Sequence, residues 1–143
     1  FEKKPLSFDF SNAPDLFPTV AATCAGLQTE ARFTGIANLR VKESDRVGAM
    51  RTELAKIGTE LNYLSDNELV LVPAETLPVF EASSPLLFSS HGDHRIVMAL
   101  APLAMKIGHL VFDHPETVAK SYPDFWKDVR FLPIYGQLNS LSF

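Results

Sequence analysis

The sequence predicts an α+β fold with helices packed on mixed sheets, and three observations predict it. Short alternating or apolar segments at 6–10, 29–34, 60–64, 68–72, 86–88 and 109–112 interleave with helical segments at 15–27, 44–57, 93–107 and 122–131. Two of the helical segments, 15–27 and 93–107, are apolar on most sides, as buried helices are. The element order also recurs: at an offset of 78 residues Asp15 falls on Asp93 and Lys42 on Lys120. Both copies read strand, Asp-led buried helix, strand, Lys-bearing loop, helix, which favours a duplication with units 1–78 and 79–143.

In chain order, residues 6–10 alternate as a strand does, and Ser11-Asn12-Ala13-Pro14-Asp15 is a turn that starts a helix. The helix 15–27 carries Leu16, Phe17, Val20, Ala21, Ala22 and Ala25, with Pro18 confined to its first turn, where a missing N–H costs little. After strand 29–34 and a loop with Gly35 and Asn38, Val47, Met50, Leu54 and Ile57 recur at spacings of three, four and three. This is an amphipathic helix that starts near Ser44 and is closed by Gly58. Residues 60–64 and 68–72 form a hairpin around Ser65-Asp66-Asn67, and 73–85 connects it to strand 86–88. His91-Gly92-Asp93 opens the second apolar helix, ended by Gly108; strand 109–112 and a last helix, 122–131, follow, and the tail from Pro133 is loosely specified.

Composition narrows the function classes. The chain has 143 residues, 46% hydrophobic and 21% charged, with 13 Lys and Arg against 17 Asp and Glu and a net charge of −4. A chain of this length buries roughly 70% of its unfolded surface, so it owns a core without a metal or disulfide. The longest apolar run, 96–105, is broken by Pro102 and is far short of the roughly 20 residues of a membrane-spanning helix. Mild acidity without a basic run argues against nucleic acid as a partner. The single cysteine, Cys24, lies among Ala22, Thr23, Ala25 and Leu27 and reads as a core residue rather than a nucleophile. Phe1-Glu2-Lys3-Lys4-Pro5 lacks an initiator Met and any leader pattern, so the sequence reads as a piece of something longer, and a cytoplasmic location is expected. No phosphate-binding loop, dinucleotide fingerprint or serine-hydrolase elbow occurs.

Charge concentrates at three expected helix starts: Arg40-Val41-Lys42-Glu43-Ser44-Asp45-Arg46, His91-Gly92-Asp93-His94-Arg95, and Lys120 before Tyr122-Pro123-Asp124. Acids are favoured by the dipole there, whereas a cation gives up about 0.3 to 1 kcal/mol, so repeated cations suggest a compensating anion. Converged, the three starts make a polyanion pocket. The competing reading pairs Lys42, Arg46 and Arg95 with Glu43, Asp45 and Asp93 as surface ion pairs worth about 0 to 1 kcal/mol. In that reading Asp15 and Asp93 are helix N-caps. Asp15, leading a buried helix, is also a candidate base if burial desolvates it. His91 and His94 with His109 or His114 offer metal donors, but no Cys or His-Glu-x-x-His pattern accompanies them and Arg95 would repel a cation; no metal and no cofactor are expected.

Leu39-Arg40-Val41-Lys42-Glu43-Ser44-Asp45-Arg46 and Gly92-Asp93-His94-Arg95-Ile96-Val97-Met98-Ala99 closely resemble motifs of the 5-enolpyruvylshikimate-3-phosphate (EPSP) synthase family. Pro14-Asp15 before them and Ala119-Lys120-Ser121-Tyr122-Pro123-Asp124-Phe125 after them match the family in order. The resemblance implies a two-domain enzyme built from βαβαββ units, of which this chain is the closing part of the C-terminal domain, the N-terminal domain being absent. It implies transfer of the carboxyvinyl group of phosphoenolpyruvate to the 5-hydroxyl of shikimate 3-phosphate with release of phosphate, a step of aromatic amino acid biosynthesis. Asp15 then matches the base at the shikimate hydroxyl and Glu43 the acid at the methylene carbon. Asn38 and Lys42 match contacts to the shikimate, and Arg46, Arg95 and Lys120 match cations that bind phosphoenolpyruvate, with His94 beside them. The chain alone is expected to be inactive. Alternatives are UDP-N-acetylglucosamine enolpyruvyl transferase, which shares the donor, and a non-catalytic anion-binding module.

Overall fold

A computed structural model describes residues 4–135. β1 (Leu6–Asp9) runs parallel to β2 (Ala31–Thr34), with Leu6 opposite Ala31 and Asp9 opposite Thr34. The crossover between them is a 3-10 turn, Pro14–Leu16, followed by α1 (Phe17–Gly26). α2 (Arg46–Ala55) leads to the hairpin of β3 (Glu60–Ser65) and β4 (Glu68–Val72), and β4 pairs antiparallel with β2, giving the order β1-β2-β4-β3. The first half is therefore a βαβαββ unit on a mixed sheet. In the second half β5 (Leu86–Phe88), β6 (Leu110–Phe112) and β7 (Ile134–Tyr135) form a parallel sheet. Between its strands lie α3 (His94–Leu100), α4 (Ala104–Ile107) and α5 (Phe125–Asp128).

Several elements differ from the sequence reading. The helix expected at 93–107 is two helices joined by a 3-10 turn, Ala101–Leu103, because Pro102 has no N–H to continue the ladder. The last helix, expected over 122–131, contracts to Phe125–Asp128: Asp124 supplies no side-chain cap, and the backbone leaves the helical conformation at Val129, with φ −105 and ψ 20. The tail from Pro133 contributes a two-residue strand, β7, while residues 136–143 lie outside the described residues. Two 3-10 turns, Ala37–Val41 and Pro115–Lys120, are too short to announce themselves by periodicity, and they stand at the same offset as the rest of the repeat.

One hydrophobic cluster runs through both halves. Phe10, Phe17 and Phe33 pack edge to face or tilted, with centroids 5.6 Å apart, and Phe88, Phe112 and Trp126 form a matching group at 5.7 to 5.9 Å. Cys24 is part of this core, and burial pushes its thiol pKa up. Gly108 ends α4 at φ +84, where a Cβ would meet the Phe80 carbonyl oxygen at 2.5 Å. Among the described residues no helix is long and apolar enough to cross a membrane.

Parallel pairing brings four turns to one end of the molecule. The segments that follow the carboxyl ends of β1, β2, β5 and β6 contain Asp15, 37–45, 89–93 and 113–120 respectively. In open α/β sheets ligands bind at this end.

Candidate active site

Arg46, the first residue of α2, organises the site. It is 1% exposed, and three carboxylates surround its guanidinium. Nε donates to Asp93 Oδ2 at 2.9 Å, Nη1 to Asp15 Oδ1 at 2.6 Å and Nη2 to Glu43 Oε2 at 2.7 Å. Asp93 is fully buried; it also accepts from Ser44 Oγ at 2.8 Å and, as the N-cap of α3, from the Arg95 N–H at 3.0 Å. Around this centre Arg95 Nη2 lies 3.6 Å from Asp15 Oδ2, and Lys120 Nζ lies 3.4 Å from Glu43 Oε1.

The three charge concentrations therefore converge, and the surface-pair reading fails at its main member, since Arg46 is buried. Arg95 pairs with Asp15 rather than Asp93, and Asp45 caps α2 by accepting from the Gly48 N–H at 3.0 Å. Asp93 is the N-cap expected of it, whereas Asp15 is not: it sits inside the 3-10 turn, and Leu16 precedes α1 without a side-chain cap. Lys42 is exposed, with its charge acting on Asp15. Asn38 is exposed on the 3-10 turn Ala37–Val41, and no hydrogen bond among the described residues ties it to the cluster. His94 is buried beside Asp93, its Nδ1 4.0 Å from Asp93 Oδ1 and without a hydrogen-bond partner among the described residues. Among the described residues no three His, Cys, Asp or Glu side chains are grouped to hold a metal; His91 pairs with Glu53 and His114 with Glu116.

The electrostatics separate the acids. Burial pushes the Asp15 carboxyl up, but the Arg46 hydrogen bond and the charges of Arg95, Arg46 and Lys42 outweigh it, so the group lies below its ordinary value. Its side chain is 48% exposed, which corrects the expectation that burial would make it a base. Glu43 is held low by its own backbone N–H and by Lys120, against burial, with Arg46 adding to the effect. In Asp93 strong desolvation is likewise overcome by Arg46, Ser44 and the Arg95 N–H. Three cations thus face three ionised carboxylates. Asp93 is sealed behind Arg46, whereas Asp15 and Glu43 face solvent.

Sequence reasoning offers Asp93 as a cap or a surface ion-pair partner, not as the buried partner of Arg46, gives Ser44 no role in the site, and leaves out Glu53. The signals were present: Glu53 sits on the apolar stripe of Met50, Leu54 and Ile57, and an acid on a buried stripe needs partners.

The family model of EPSP synthase (3-phosphoshikimate 1-carboxyvinyltransferase) matches residues 2–129, nearly the whole chain. The chain belongs to the EPSP synthase family. An EPSP synthase relative from Bacteroides fragilis, a 3-phosphoshikimate 1-carboxyvinyltransferase, is 39% identical over 129 residues, covering 87% of this chain and 30% of its own length. One of the same name from Methanosarcina mazei is 39% identical over 131 residues, covering 90% and 28%. The solved EPSP synthase of Acinetobacter baumannii superposes with a TM-score of 0.66 at 26% identity, over 85% of this chain and 27% of that one. The chain thus spans about a third or less of the length of these relatives.

Proposed function

We propose that the chain is the C-terminal portion of a full-length EPSP synthase, carrying two units, 1–78 and 79–143, of its C-terminal domain. The complete cytoplasmic enzyme transfers the carboxyvinyl group of phosphoenolpyruvate to the 5-hydroxyl of shikimate 3-phosphate, and the missing N-terminal domain supplies the other wall of the cleft. The observation that carries this reading is the gathering of Arg46, Arg95 and Lys120 with Asp15 and Glu43 at the carboxyl end of the parallel strands, in a chain of this family. The apolar groove left open between α1 and the run from α3 to α4, lined among others by Ala22, Leu27, Met98 and Met105, suits a further unit of the same domain.

The chemistry follows from exchange of partners. Phosphoenolpyruvate brings a carboxylate and a phosphate, which compete with Asp15 and Glu43 for Arg46, Arg95 and Lys120, while Asp93 keeps Arg46 in place. Losing its cations releases Asp15 from the influences that hold its pKa down, so it becomes a competent base just when substrate is bound. It takes the proton of the 5-hydroxyl as oxygen adds to the enol carbon; Glu43, ionised in the free protein, takes up a proton from solvent once the anion has displaced its cations and delivers it to the methylene carbon. Phosphate then leaves the tetrahedral adduct as the new methyl group returns a proton to Glu43 and Asp15 passes its proton to the departing phosphate, whose charge the cations stabilise. Asn38 and Lys42 face the shikimate, and His94 stands beside the phosphoenolpyruvate cations.

The test is phosphate release from phosphoenolpyruvate by the full-length protein, with shikimate 3-phosphate or UDP-N-acetylglucosamine offered in turn. Release that requires shikimate 3-phosphate is expected. Release only with the sugar nucleotide would assign the other enolpyruvyl transfer, and release with neither would leave an anion-binding module.

A further inference from the structure

Behind the charge cluster a second buried carboxylate joins the same two segments. Glu53 is 1% exposed and lies seven residues beyond Arg46, about two turns along α2. Its Oε1 lies 2.7 Å from His91 Nε2; its Oε2 accepts from the Ser89 N–H at 3.1 Å and from Lys56 Nζ at 2.6 Å. Lys56 Nζ in turn donates to the Leu87 carbonyl at 3.0 Å. The run from β5 into α3 is thus held from α2 at residues 87, 89 and 91. From the other side, Asp113 accepts from the Ser90 N–H at 2.8 Å and from Ser89 Oγ at 3.0 Å. His91 has φ +52, a left-handed conformation that a residue with a side chain rarely adopts unless its surroundings hold it there.

Two residues after His91 comes Asp93, the fixed partner of Arg46. Arg46 and Glu53 therefore bridge one helix to one turn by two parallel links, Arg46 to Asp93 and Glu53 to His91 with Ser89. A buried carboxylate is a poor device for stability alone, because an apolar side chain of similar volume commonly serves as well or better. It does fix geometry. Resting on the function proposed above, we infer that Glu53 is a positioning residue of the site: through His91 and Ser89 it sets where Asp93 holds Arg46 and where Arg95 stands at the start of α3. It touches no substrate.

The experiment uses the full-length protein with Glu53→Gln, which keeps the size of the side chain and removes its charge, and with His91→Gln, each alone and the two combined. Leu69→Ala, in β4 and fully buried, is the control for loss of stability. KM for phosphoenolpyruvate, kcat, melting temperature and hydrogen exchange of the amides from 89 to 93 are measured. Glu53→Gln is expected to raise KM by about 10-fold or more, a loss characteristic of displaced binding groups, and to speed exchange at Ser89. The added His91→Gln should give less than the product of the two single effects, since both act on one link. Leu69→Ala should lower the melting temperature and leave KM alone. An unchanged KM or unchanged exchange at Ser89 in Glu53→Gln overturns the inference, as does a Leu69→Ala variant with an equal rise in KM. A wild-type protein that turns over nothing overturns the functional reading, and this inference with it.

Discussion

Replacing Asp93 tests whether Arg46 depends on its buried partner. Asp93→Ala removes an ion pair in which both side chains are essentially inaccessible, together with the acceptor for Ser44 Oγ and the cap on the Arg95 N–H. Breaking a buried pair from one side costs about 3 to 5 kcal/mol. Asp15 and Glu43 still contact Arg46, which places the loss at the lower end of that range. Asp93→Asn retains an acceptor for the Arg95 N–H and loses only the charge-assisted bonds, so about 2 kcal/mol is expected. Equilibrium urea unfolding of the 143-residue chain measures both. The pH dependence has a definite sign. The folded carboxyl of Asp93 titrates below its unfolded value, so its stabilisation is present above the ordinary aspartate value of about 3.9 and is lost as pH falls through the lower folded value. The difference between wild type and Asp93→Asn must therefore shrink on acidification. Losses within about 0.5 kcal/mol of wild type, as for an ordinary surface substitution, would refute the buried-pair reasoning. A difference that widens in acid would refute the sign.

Asp15→Asn in the full-length protein should lower kcat by about 10² or more, the usual contribution of a general base, while phosphoenolpyruvate binds as tightly or more tightly because a competitor for Arg46 and Arg95 is weakened; titration calorimetry and steady-state rates check the two halves. Gly35→Ala should destabilise by more than about 1 kcal/mol in thermal unfolding, because Gly35 has φ +71 and a Cβ there would lie 2.4 Å from the Ser11 backbone nitrogen and 2.5 Å from Asp9 Oδ1. Cys24, buried with its thiol pKa raised, should resist a water-soluble thiol reagent in the native protein and react after denaturation. The 143-residue chain alone should release no phosphate from the substrate pair, and steady release would contradict the need for a second domain.

Most of the fold was legible because its elements have long-range reasons visible as local patterns. The stripe of Val47, Met50 and Leu54 is α2, which ends at Ala55, short of Ile57, and the turn after Ser65 joins the hairpin strands β3 and β4. The 3-10 turns were not legible, since three to six residues carry no period, yet they place Asp15, Asn38 and Lys120. The meeting of Arg46 and Arg95, at the starts of α2 and α3, was readable from cations set against the helix dipole, whereas Lys120 stands at the end of the 3-10 turn Pro115–Lys120 and not at a helix start, so that argument does not reach it. Which acid meets which cation was not readable: spacing favoured neighbours such as Asp93 with Arg95, whereas the fold pairs Arg46 with Asp15, 31 residues away, and with Asp93, 47 residues away. The depressed titration of Asp15 depends on that long-range geometry, so it could not be read from its place at the head of a helix.

The most direct test of partner exchange is the pH dependence of kcat/KM and of kcat for the full-length protein, corrected for ionisation of the substrates. kcat/KM reports the free enzyme, in which Asp15 is held below the ordinary carboxylate range, and kcat reports the complex, in which the bound anion has taken its cations. The acid limb of kcat should therefore lie at higher pH than that of kcat/KM and disappear in Asp15→Asn. Coincident limbs, or an acid limb of kcat that survives in Asp15→Asn, would contradict the release of Asp15 as the base.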